Sequence, residues 1–333
     1  MPQTLTIHAW RSGAIPLDES PLRFDRILAR AKVMKQVLRR LLAAAALDKP
    51  VLLLGEPGTG KDLVARSIHL RSRRRAGPFV AVNARAIPRD LFASELFGHG
   101  QRAVLNAGRG QAGRLAQAEG GTLFLDEIDS LDLPSQAALL KALESGTYQP
   151  VGSSKIRPFQ VRLVCGSSAD LDARARAGRF LPELLAQLSA FSLSLPPLRQ
   201  RHGGVPLLAQ EFVHELNQAY GLNVSGLSAL ALARLEAYAW PGNVRELKEV
   251  IQRAVQLAGK GVVGEEDLPE RFRRPEAPAD APTLSLAPGK RLDELESDYL
   301  KATLAHCQGN KSRAAALLGI SRKNLYERLA RSK

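Results

Sequence analysis

Cysteine is nearly absent from this chain of 333 residues, which contains only Cys165 and Cys307. Two thiols in separate segments indicate neither a disulfide framework nor a cysteine metal site. Long apolar runs are also missing. The longest, 41–47, is too short to span a bilayer, and residues 1–13 contain no core of signal-peptide length. We therefore expect a cytoplasmic protein with no membrane partner.

Acidic residues are outnumbered by basic ones, with 33 Asp and Glu against 47 Lys and Arg and a formal net charge of +14. Such an excess favours a polyanionic partner, although a high arginine content can also reflect a GC-rich genome. A chain of this length is expected to form two or three domains with a sizeable core.

An apolar strand followed by a glycine-rich turn occupies residues 51–61, with the sequence VLLLGEPGTGK. Glycines let backbone N–H groups close around phosphate oxygens, and the next helix presents its positive N-terminus. Lys61 adds a charge near the outer phosphates. Asp62 stands where the common pattern has Ser or Thr as a magnesium ligand. The predicted nucleotide-binding residues are Gly55, Glu56, Gly58, Thr59, Gly60, Lys61 and Asp62.

A second apolar strand, within 120–126, ends in the adjacent carboxylates Asp126 and Glu127. Phosphoryl transfer needs one acid to hold magnesium and one to orient or deprotonate the attacking water. We assign Asp126 to Mg²⁺, through water, and Glu127 to the water molecule. A solvated acidic turn is the alternative for one such pair. Together with the phosphate loop, the pair predicts that the protein binds a nucleoside triphosphate.

Further strand patterns at 78–83, 159–166 and 191–195 alternate with helical ones. This alternation predicts an α/β fold, a parallel sheet covered by helices. Helical patterns at 22–47 and 206–260 predict a helix before the first strand and a helical lid. The predicted boundaries are 1–21 for an irregular segment, 22–200 for the nucleotide-binding core, 201–270 for the lid, 271–290 for a Pro/Ala-rich linker and 291–333 for a basic tail.

The tail carries a helix-turn-helix pattern, in which alanines let two helices approach, Gly319 turns the chain and Ser321 caps the second helix. Residues 308–333 hold seven Lys or Arg against one acid, which suits contacts with DNA phosphates. A plain helical hairpin with a basic face is the alternative. The predicted DNA-binding residues are Lys311, Arg313, Ser321, Arg322, Lys323, Asn324 and Arg328.

Together these segments resemble the bacterial enhancer-binding proteins, the AAA+ activators of sigma-54 RNA polymerase with a Fis-type helix-turn-helix. The resemblance spans about residues 22–333 and lies in GEPGTGK (55–61), PFVAVN (78–83), SELFGH (94–99), GGTLFLDEID (120–129), LPPLR (195–199) and WPGNVREL (240–247). It implies an AAA+ P-loop domain that binds ATP or ADP with Mg²⁺. The implied partners are double-stranded DNA at an inverted repeat, an RNA polymerase holoenzyme and further copies of the chain, as a dimer or a hexamer. The architecture is similar to that of short members without an N-terminal regulatory domain.

The resemblance also implies roles for single residues. Asn83 is similar to the residue that restrains the catalytic Glu127, with a strand-end cap as the alternative. Ser167 takes the place of a polar sensor of the γ-phosphate, and Ser168 replaces the family's asparagine. Arg245 is similar to the lid arginine that reads the bound nucleotide, with a structural salt bridge as the alternative.

Two segments depart from the family pattern. Residues 102–107, RAVLNA, replace the Gly-Ala-Phe-Thr-Gly-Ala loop that contacts sigma-54, so the aromatic, the threonine and both glycines are lost. Leu181 and Gln187 replace two arginine fingers that reach into the neighbouring subunit's site. One finger is worth roughly 10³ to 10⁵ in kcat. Nearby arginines that could substitute are Arg174, Arg176 and Arg179.

These losses predict a sequence-specific DNA-binding regulator that binds ATP as a ligand controlling assembly. We expect it to hydrolyse ATP slowly or not at all, and not to remodel sigma-54 polymerase. One alternative is an active sigma-54-dependent ATPase, in a mixed ring with a paralogous subunit that supplies fingers and loop. Another is a cyclic-dinucleotide receptor that uses the basic segment 66–75.

Overall fold

A computed structural model describes residues 3–4, 22–25, 27–100, 112–273 and 292–306, together with 311, 314–315, 318–320 and 324–325. The chain divides into two units, 1–273 and 274–333. Among the described residues, no helix combines the length and apolar character needed to cross a membrane.

Strands and helices alternate along the first unit. The strands are β1 (Gln3–Thr4), β2 (Leu22–Phe24), β3 (Ile27–Ala29), β4 (Val51–Leu54), β5 (Phe79–Asn83), β6 (Thr122–Asp126), β7 (Thr147–Tyr148), β8 (Arg157–Pro158), β9 (Arg162–Ser167), β10 (Ser192–Ser194), β11 (Asn223–Leu227) and β12 (Lys260–Val263). The helices are α1 (Lys32–Ala46), α2 (Lys61–Leu70), α3 (Arg89–Phe97), α4 (Arg114–Gln117), α5 (Leu133–Ser145), α6 (Leu171–Arg176), α7 (Pro182–Leu188), α8 (Gly204–Tyr220), α9 (Ala229–Ala237), α10 (Asn243–Ala258), α11 (Glu270–Arg273) and, in the second unit, α12 (Leu292–His306).

Five strands form a parallel sheet in the order β10-β4-β9-β6-β5, which confirms the predicted α/β class. Successive side chains of a strand point to opposite faces. Leu52 and Leu125 therefore lie in one apolar cluster, whereas Leu53 and Phe124 lie in another on the opposite face. Burial on both faces explains why these strands read as continuous apolar runs rather than alternating patterns.

The strand order sets the position of the site. The first strand of the sheet in chain order, β4, lies between β10 and β9, so the connections on its two sides run in opposite directions. In open parallel sheets such a switch point leaves a crevice at the carboxyl ends of the strands. The glycine-rich turn 55–60 follows β4 at this edge, and Asp126 ends β6 at the same edge.

The predicted helix over 22–47 is wrong in its first third. There β2 and β3 form an antiparallel hairpin, and only Lys32–Ala46 is helical. Asp25 makes the turn with a left-handed backbone, at φ 52°. Arg71 of α2 stacks over the ring of Phe24, 4.0 Å from its centroid, and pairs with Asp25 at 2.7 Å. These tertiary contacts override the local helical pattern.

Within the predicted irregular segment 1–21, Gln3–Thr4 forms β1 and pairs in parallel with β2. The rest of that segment lies outside the described residues.

The helical lid is present as α8, α9, α10 and α11, packed around a core of its own that includes Trp240. The segment 206–260 is not wholly helical, however. Strands β11 and β12 pair in parallel beside the helices. Gly221 and Gly259 end α8 and α10 with positive φ, which other residues adopt at a steric cost, and the chain becomes extended after each of them.

The second unit contains the helix α12. Leu300 of this helix is buried with Ala314, Ala315 and Leu325. Gly319 adopts φ 65°, as a turn between two helices requires. Small alanines at the contact let the helices approach closely, which is the packing expected of a helix-turn-helix.

Trp240 is the central side chain of the lid core. It is fully buried, and its indole N–H donates to the Leu235 carbonyl at 2.8 Å. Replacing it with alanine should cost about 3–5 kcal/mol of unfolding free energy, because a large cavity remains. Urea denaturation followed by circular dichroism measures this loss. The matched control is Leu257→Ala, at a side chain that is 61 % exposed. It should change stability by no more than about 0.5 kcal/mol. Similar losses of unfolding free energy in both variants would contradict the central role of Trp240 in the lid core.

Candidate nucleotide-binding site

A cavity of about 590 Å³ opens between the carboxyl edge of the sheet and the lid. This volume is typical of pockets for small ligands. Predicted site residues that line it are Gly58, Gly60, Lys61, Asp62, Asn83, Asp126, Glu127 and Arg245. Lining residues that the sequence did not predict include Arg85, Phe212, Glu215, Val244 and Lys248.

The phosphate loop is folded around its own lysine. Gly60 adopts φ 96° immediately before α2, so the first N–H groups of that helix point towards the turn. Lys61 is 4 % exposed, and its Nζ donates to the Gly55 carbonyl at 2.9 Å. The Thr59 hydroxyl donates to the Glu56 carbonyl at 2.8 Å. Phosphate oxygens are the natural ligands of such a helix N-terminus.

Asp126 lies at the base of the cavity. Its Oδ1 accepts a hydrogen bond from the Glu127 backbone N–H at 3.0 Å. Burial raises the pKa of the Asp126 carboxyl, and the charge of Lys61 opposes that rise. Gly166 leaves room for this side chain, because a Cβ there would overlap Oδ1.

The side chains that line the cavity fit a magnesium ion that is held mainly by the phosphate oxygens of a nucleotide. The part of the chain that the structure describes contains no group of three or more metal-ligating side chains. Mg²⁺ is commonly bound through one or two carboxylates together with phosphate oxygens and water. Asp126 provides one such carboxylate, and Asp62 lines the same cavity.

Glu127 adopts an unusual backbone and is held from several sides. It has φ 54°, in the left-handed region that residues other than glycine rarely occupy and that clusters at functional sites. Its side chain is 9 % exposed and lies 3.5 Å from Lys61 Nζ through Oε1. Ser168 donates to Oε2 at 2.7 Å, and Arg85 Nη2 lies 3.0 Å from the same oxygen.

Asn83 caps the end of β5. Its Oδ1 accepts a hydrogen bond from the Arg85 backbone N–H at 2.9 Å and begins a short 3₁₀ helix, Ala84–Ala86. In the described site Asn83 makes no hydrogen bond to Glu127. This geometry is the strand-end cap that the sequence left as the alternative. Arg85 and Ser168 make the contacts with Glu127 instead.

Ser167 is buried away from the cavity. Its hydroxyl donates to Asp129 Oδ1 at 3.0 Å and accepts from the Ala169 N–H at 3.2 Å. The position that contacts Glu127 is therefore Ser168, which the sequence did not select. Its signal was available, because Ser168 stands in the place of the family's asparagine.

The segment expected to supply arginine fingers offers few free cations. Arg174 Nη1 donates to the Asp129 carbonyl at 2.8 Å, and its Nη2 lies 3.5 Å from Oδ2 of that side chain. Arg174 is thus held within its own chain. Leu181 packs against the core, and its N–H donates to Gln136 at 2.8 Å. Of the substitutes considered, Arg176 and Arg179 are exposed and form no ion pair with a described residue.

Glu56 joins the phosphate loop to the lid. Its carboxylate accepts two hydrogen bonds from Arg199, at 2.5 and 2.8 Å, and one from Asn243 Nδ2 at 3.0 Å. These donors, Arg199 first, lower the pKa of Glu56 to about 2. Asn243 also accepts from the Leu198 N–H at 2.7 Å. The Glu56 side chain therefore acts in lid docking and does not line the cavity that holds Lys61. A carboxylate turned towards phosphates would repel them.

Gly58 is where the lid reaches the loop. Its carbonyl accepts from the backbone N–H groups of Val244 at 3.0 Å and Arg245 at 3.3 Å. Gly58 has φ 77°, and a Cβ there would overlap the Gly242 carbonyl oxygen. This contact brings Arg245 to the cavity. Arg245 is exposed and forms no ion pair with a described residue, so the salt-bridge alternative is not observed.

Arginines of the basic segment 66–75 are used in packing. Arg66 lies over the Phe79 ring, 4.7 Å from its centroid, and Arg74 pairs with Asp48 at 2.9 Å. Arg71 contacts the β2–β3 hairpin as described above. These contacts favour a structural role for the segment over a cyclic-dinucleotide site.

Some predicted residues cannot be placed. The segment 102–107 lies outside the described residues, although Gly98 and Ala112 on either side of it form an antiparallel bridge. Arg313, Ser321, Arg322, Lys323 and Arg328 also lie outside them. Lys311 and Asn324 are described and are half-buried.

Comparison with known families agrees with this geometry. A model of the sigma-54 interaction domain matches residues 27–194, and a model of the AAA+ ATPase lid domain matches 199–284. A model of bacterial regulatory proteins of the Fis family matches 291–331. The chain belongs to the sigma-54-dependent enhancer-binding protein family. As a member, it is a DNA-binding transcription regulator with an ATP-binding AAA+ domain.

Individual enhancer-binding proteins align over most of the chain. It is 37 % identical to the DNA-binding transcriptional regulator NtrC of Azospirillum brasilense, over 91 % of this chain and 68 % of that protein. It is also 37 % identical to the transcriptional regulatory protein ZraR of Klebsiella oxytoca, over 96 % and 72 %. Crystal structures of NtrX from Brucella abortus with ADP and with ATP share 28 % identity with it, at TM-scores of 0.71 and 0.68. They cover 92 % and 93 % of this chain, and the chain covers 70 % of each.

The Asn243 contacts should control nucleotide affinity. Asn243→Ala leaves the Leu198 N–H without its buried partner and removes the hydrogen bond from Asn243 to Glu56, at a cost of about 1–3 kcal/mol in stability. We expect ADP to bind roughly tenfold more weakly, a change of about 1.4 kcal/mol. Isothermal titration calorimetry with ADP measures this.

Asn243 has φ 54°, so Asn243→Gly serves as a second variant that removes the amide without backbone strain. The matched control is Asn223→Ala, at an exposed position of β11. Unchanged ADP affinity in both Asn243 variants, with the fold intact, would show that lid docking does not limit binding.

Proposed function

We propose that this enhancer-binding protein is a sequence-specific transcription regulator in which ATP acts as a ligand that controls assembly. It hydrolyses ATP slowly or not at all and does not remodel sigma-54 polymerase. The observation that carries the proposal is the absence of arginine at positions 181 and 187. It is supported by the placement of Leu181 against the core and by the commitment of Arg174 to Asp129.

ATP binding draws on residues that already surround the cavity. Lys61 exchanges the Gly55 carbonyl for phosphate oxygens, and Arg245 approaches from the lid. Asp126 holds Mg²⁺ through water, and the ion shields the phosphate charge. Glu127 is the group that can orient a water molecule. The fold similarity to NtrX structures solved with ADP and with ATP supports this ligand class.

Slow hydrolysis follows from the missing arginine fingers, which are the cations that a neighbouring subunit would supply. A finger stabilises the charge that develops on the transferring phosphoryl group, and its loss costs about 4–7 kcal/mol of activation free energy. Lys61 already belongs to the basal site. The remaining charges of the cavity do not replace a guanidinium supplied by a second subunit.

Assembly is the proposed output of ATP binding. A ligand shifts an equilibrium only through its different affinity for the two states. In AAA+ proteins of this family the nucleotide lies at a subunit boundary, so binding there favours the assembled form, a homodimer or a hexamer. The Fis-type tail then recognises double-stranded DNA at an inverted repeat, and the RNA polymerase holoenzyme that responds uses another sigma factor.

An active sigma-54-dependent ATPase is the second candidate. It is favoured by the match of residues 27–194 to the sigma-54 interaction domain and by the exposed Arg176 and Arg179. In this candidate a paralogous subunit of a mixed ring supplies the fingers and the contact loop. Reconstituted transcription with sigma-54 holoenzyme, with and without a paralogue, separates the two. Stimulation by this chain would decide for the second candidate.

Turnover of ATP as a function of protein concentration tests the leading proposal. We expect kcat at or below about 0.01 s⁻¹, roughly 10³-fold below the median enzyme rate of about 10 s⁻¹. Restoring a cation with Gln187→Arg should raise turnover, and only at concentrations that permit assembly. Glu127→Gln sets the background. Wild-type turnover of several per second would contradict the proposal.

Asn324 tests sequence recognition by the tail. An asparagine can form a bidentate hydrogen-bonded pair with adenine, worth about 1–3 kcal/mol of discrimination. We therefore expect Asn324→Ala to weaken specific binding by roughly 5- to 150-fold and non-specific binding little. Lys311→Ala, at a residue expected to touch phosphate, should weaken both equally. Electrophoretic mobility shifts at a fixed salt concentration measure both. Equal losses for Asn324→Ala would show that Asn324 makes no base contact.

A further inference from the structure

Arg85 places a second cation beside Glu127. It lies in the 3₁₀ helix that directly follows β5, where Asn83 fixes its backbone N–H. In the sheet register Asn83 is paired with Asp126, the residue before Glu127. The backbone of Arg85 is therefore fixed next to the catalytic carboxylate. Its side chain is 60 % exposed and lines the cavity.

The guanidinium of Arg85 has two acidic neighbours. Its Nη2 lies 3.0 Å from Glu127 Oε2 and 3.6 Å from Asp129 Oδ2. Asp129 already accepts a hydrogen bond from Ser167 and pairs with Arg174. Glu127 is thus the closer partner of Arg85.

This contact opposes the use of Glu127 as a base. Oε2 also accepts the Ser168 hydroxyl, and Oε1 faces Lys61 Nζ at 3.5 Å. A carboxylate that orients and deprotonates water needs an accessible lone pair and sufficient basicity. Two cations and a hydroxyl group occupy the lone pairs of the Glu127 carboxylate. In this arrangement the Glu127 carboxylate is not available to activate a water molecule.

A terminal phosphate offers Arg85 a stronger partner. Lys61 and Arg85 line the same cavity, and a guanidinium binds phosphate oxygens in a bidentate geometry that suits its planar fork. Because the Arg85 side chain is largely exposed, it can turn from Glu127 to a phosphate with little loss of packing. ADP, which lacks the terminal phosphate, offers no equivalent partner next to Glu127.

We propose that Arg85 is a positioning residue that restrains Glu127. When ATP binds, the Arg85 guanidinium leaves Glu127 and contacts the terminal phosphate. The contact is made within one chain, unlike a finger from a neighbouring subunit. The inference rests on the proposed function, since it explains how ATP is distinguished from ADP while hydrolysis stays slow. It names Arg85 as the residue that distinguishes ATP from ADP.

Substitution at position 85 tests the proposal in the full-length protein. Arg85→Ala and Arg85→Gln remove the charge, and Arg85→Lys keeps it. Arg89→Ala is the matched control, at an exposed arginine at the start of α3 that does not line the cavity. Single-turnover hydrolysis at saturating ATP gives the rate constant. Titration with fluorescent analogues of ATP and ADP gives the two dissociation constants, and thermal melting checks the fold.

We expect Arg85→Ala and Arg85→Gln to leave the rate constant at saturating ATP within about threefold of the wild-type value, because Arg85 has already left Glu127 when ATP is bound. Both should lose the preference for ATP over ADP, with ADP affinity unchanged. Arg85→Lys and Arg89→Ala should behave as the wild type. Adding Glu127→Gln to Arg85→Ala should return the rate to background.

A clearly lower rate constant in Arg85→Ala would overturn the proposal, because Arg85 would then assist the reaction. An unchanged preference for ATP over ADP would also overturn it, as would an Arg85→Lys variant that matches Arg85→Ala. Fast turnover by the wild-type protein would instead overturn the proposed function. In that event the ratio of variant to wild-type rates still decides the role of Arg85.

Discussion

The site depends on the close approach of the lid to the phosphate loop at Gly58. Two backbone N–H groups from the start of α10 bind the Gly58 carbonyl, and no side chain fits between the loop and Gly242. Glu56 and Asn243 add a partly buried polar contact beside it. Such a contact is costly to break on one side only, because its partner is left without a hydrogen bond. The core and the lid therefore line the cavity together, and the same contact positions Arg245.

A second theme is the crowding of opposite charges at the strand ends. In a partly buried network, Arg85 lies within ion-pair distance of Glu127 and Asp129, and Arg174 pairs with Asp129. Networks of this kind hold each side chain in a defined rotamer, and the reduced local dielectric strengthens every pair. A polyphosphate entering the cavity adds negative charge to this set and redistributes its partners. The nucleotide can thus act on the protein without any change of the fold.

Features governed by local rules were predictable from the sequence. The phosphate loop, the acidic end of β6 and the parallel sheet follow from glycine spacing, apolar runs and their alternation with helices. The contact of Arg85 with Glu127 was not predictable, because it depends on how the ends of β5 and β6 align, whereas Ser168 could be found only from its place in the family pattern. Likewise, the hairpin at Asp25 and the strand pair β11–β12 owe their form to tertiary packing and to glycines. In the sequence Glu56 is part of the phosphate-loop pattern. Only the structure shows that its side chain contacts Asn243 of the lid.

The hairpin formed by β2 and β3 has a mechanical consequence. It is fastened by Arg71 to the C-terminal end of α2, whereas the N-terminal end of that helix carries Lys61. A helix of this length spans about 15 Å and transmits displacement along its axis with little bending. A displacement of the hairpin would therefore be conveyed along α2 to Lys61 and the phosphate loop.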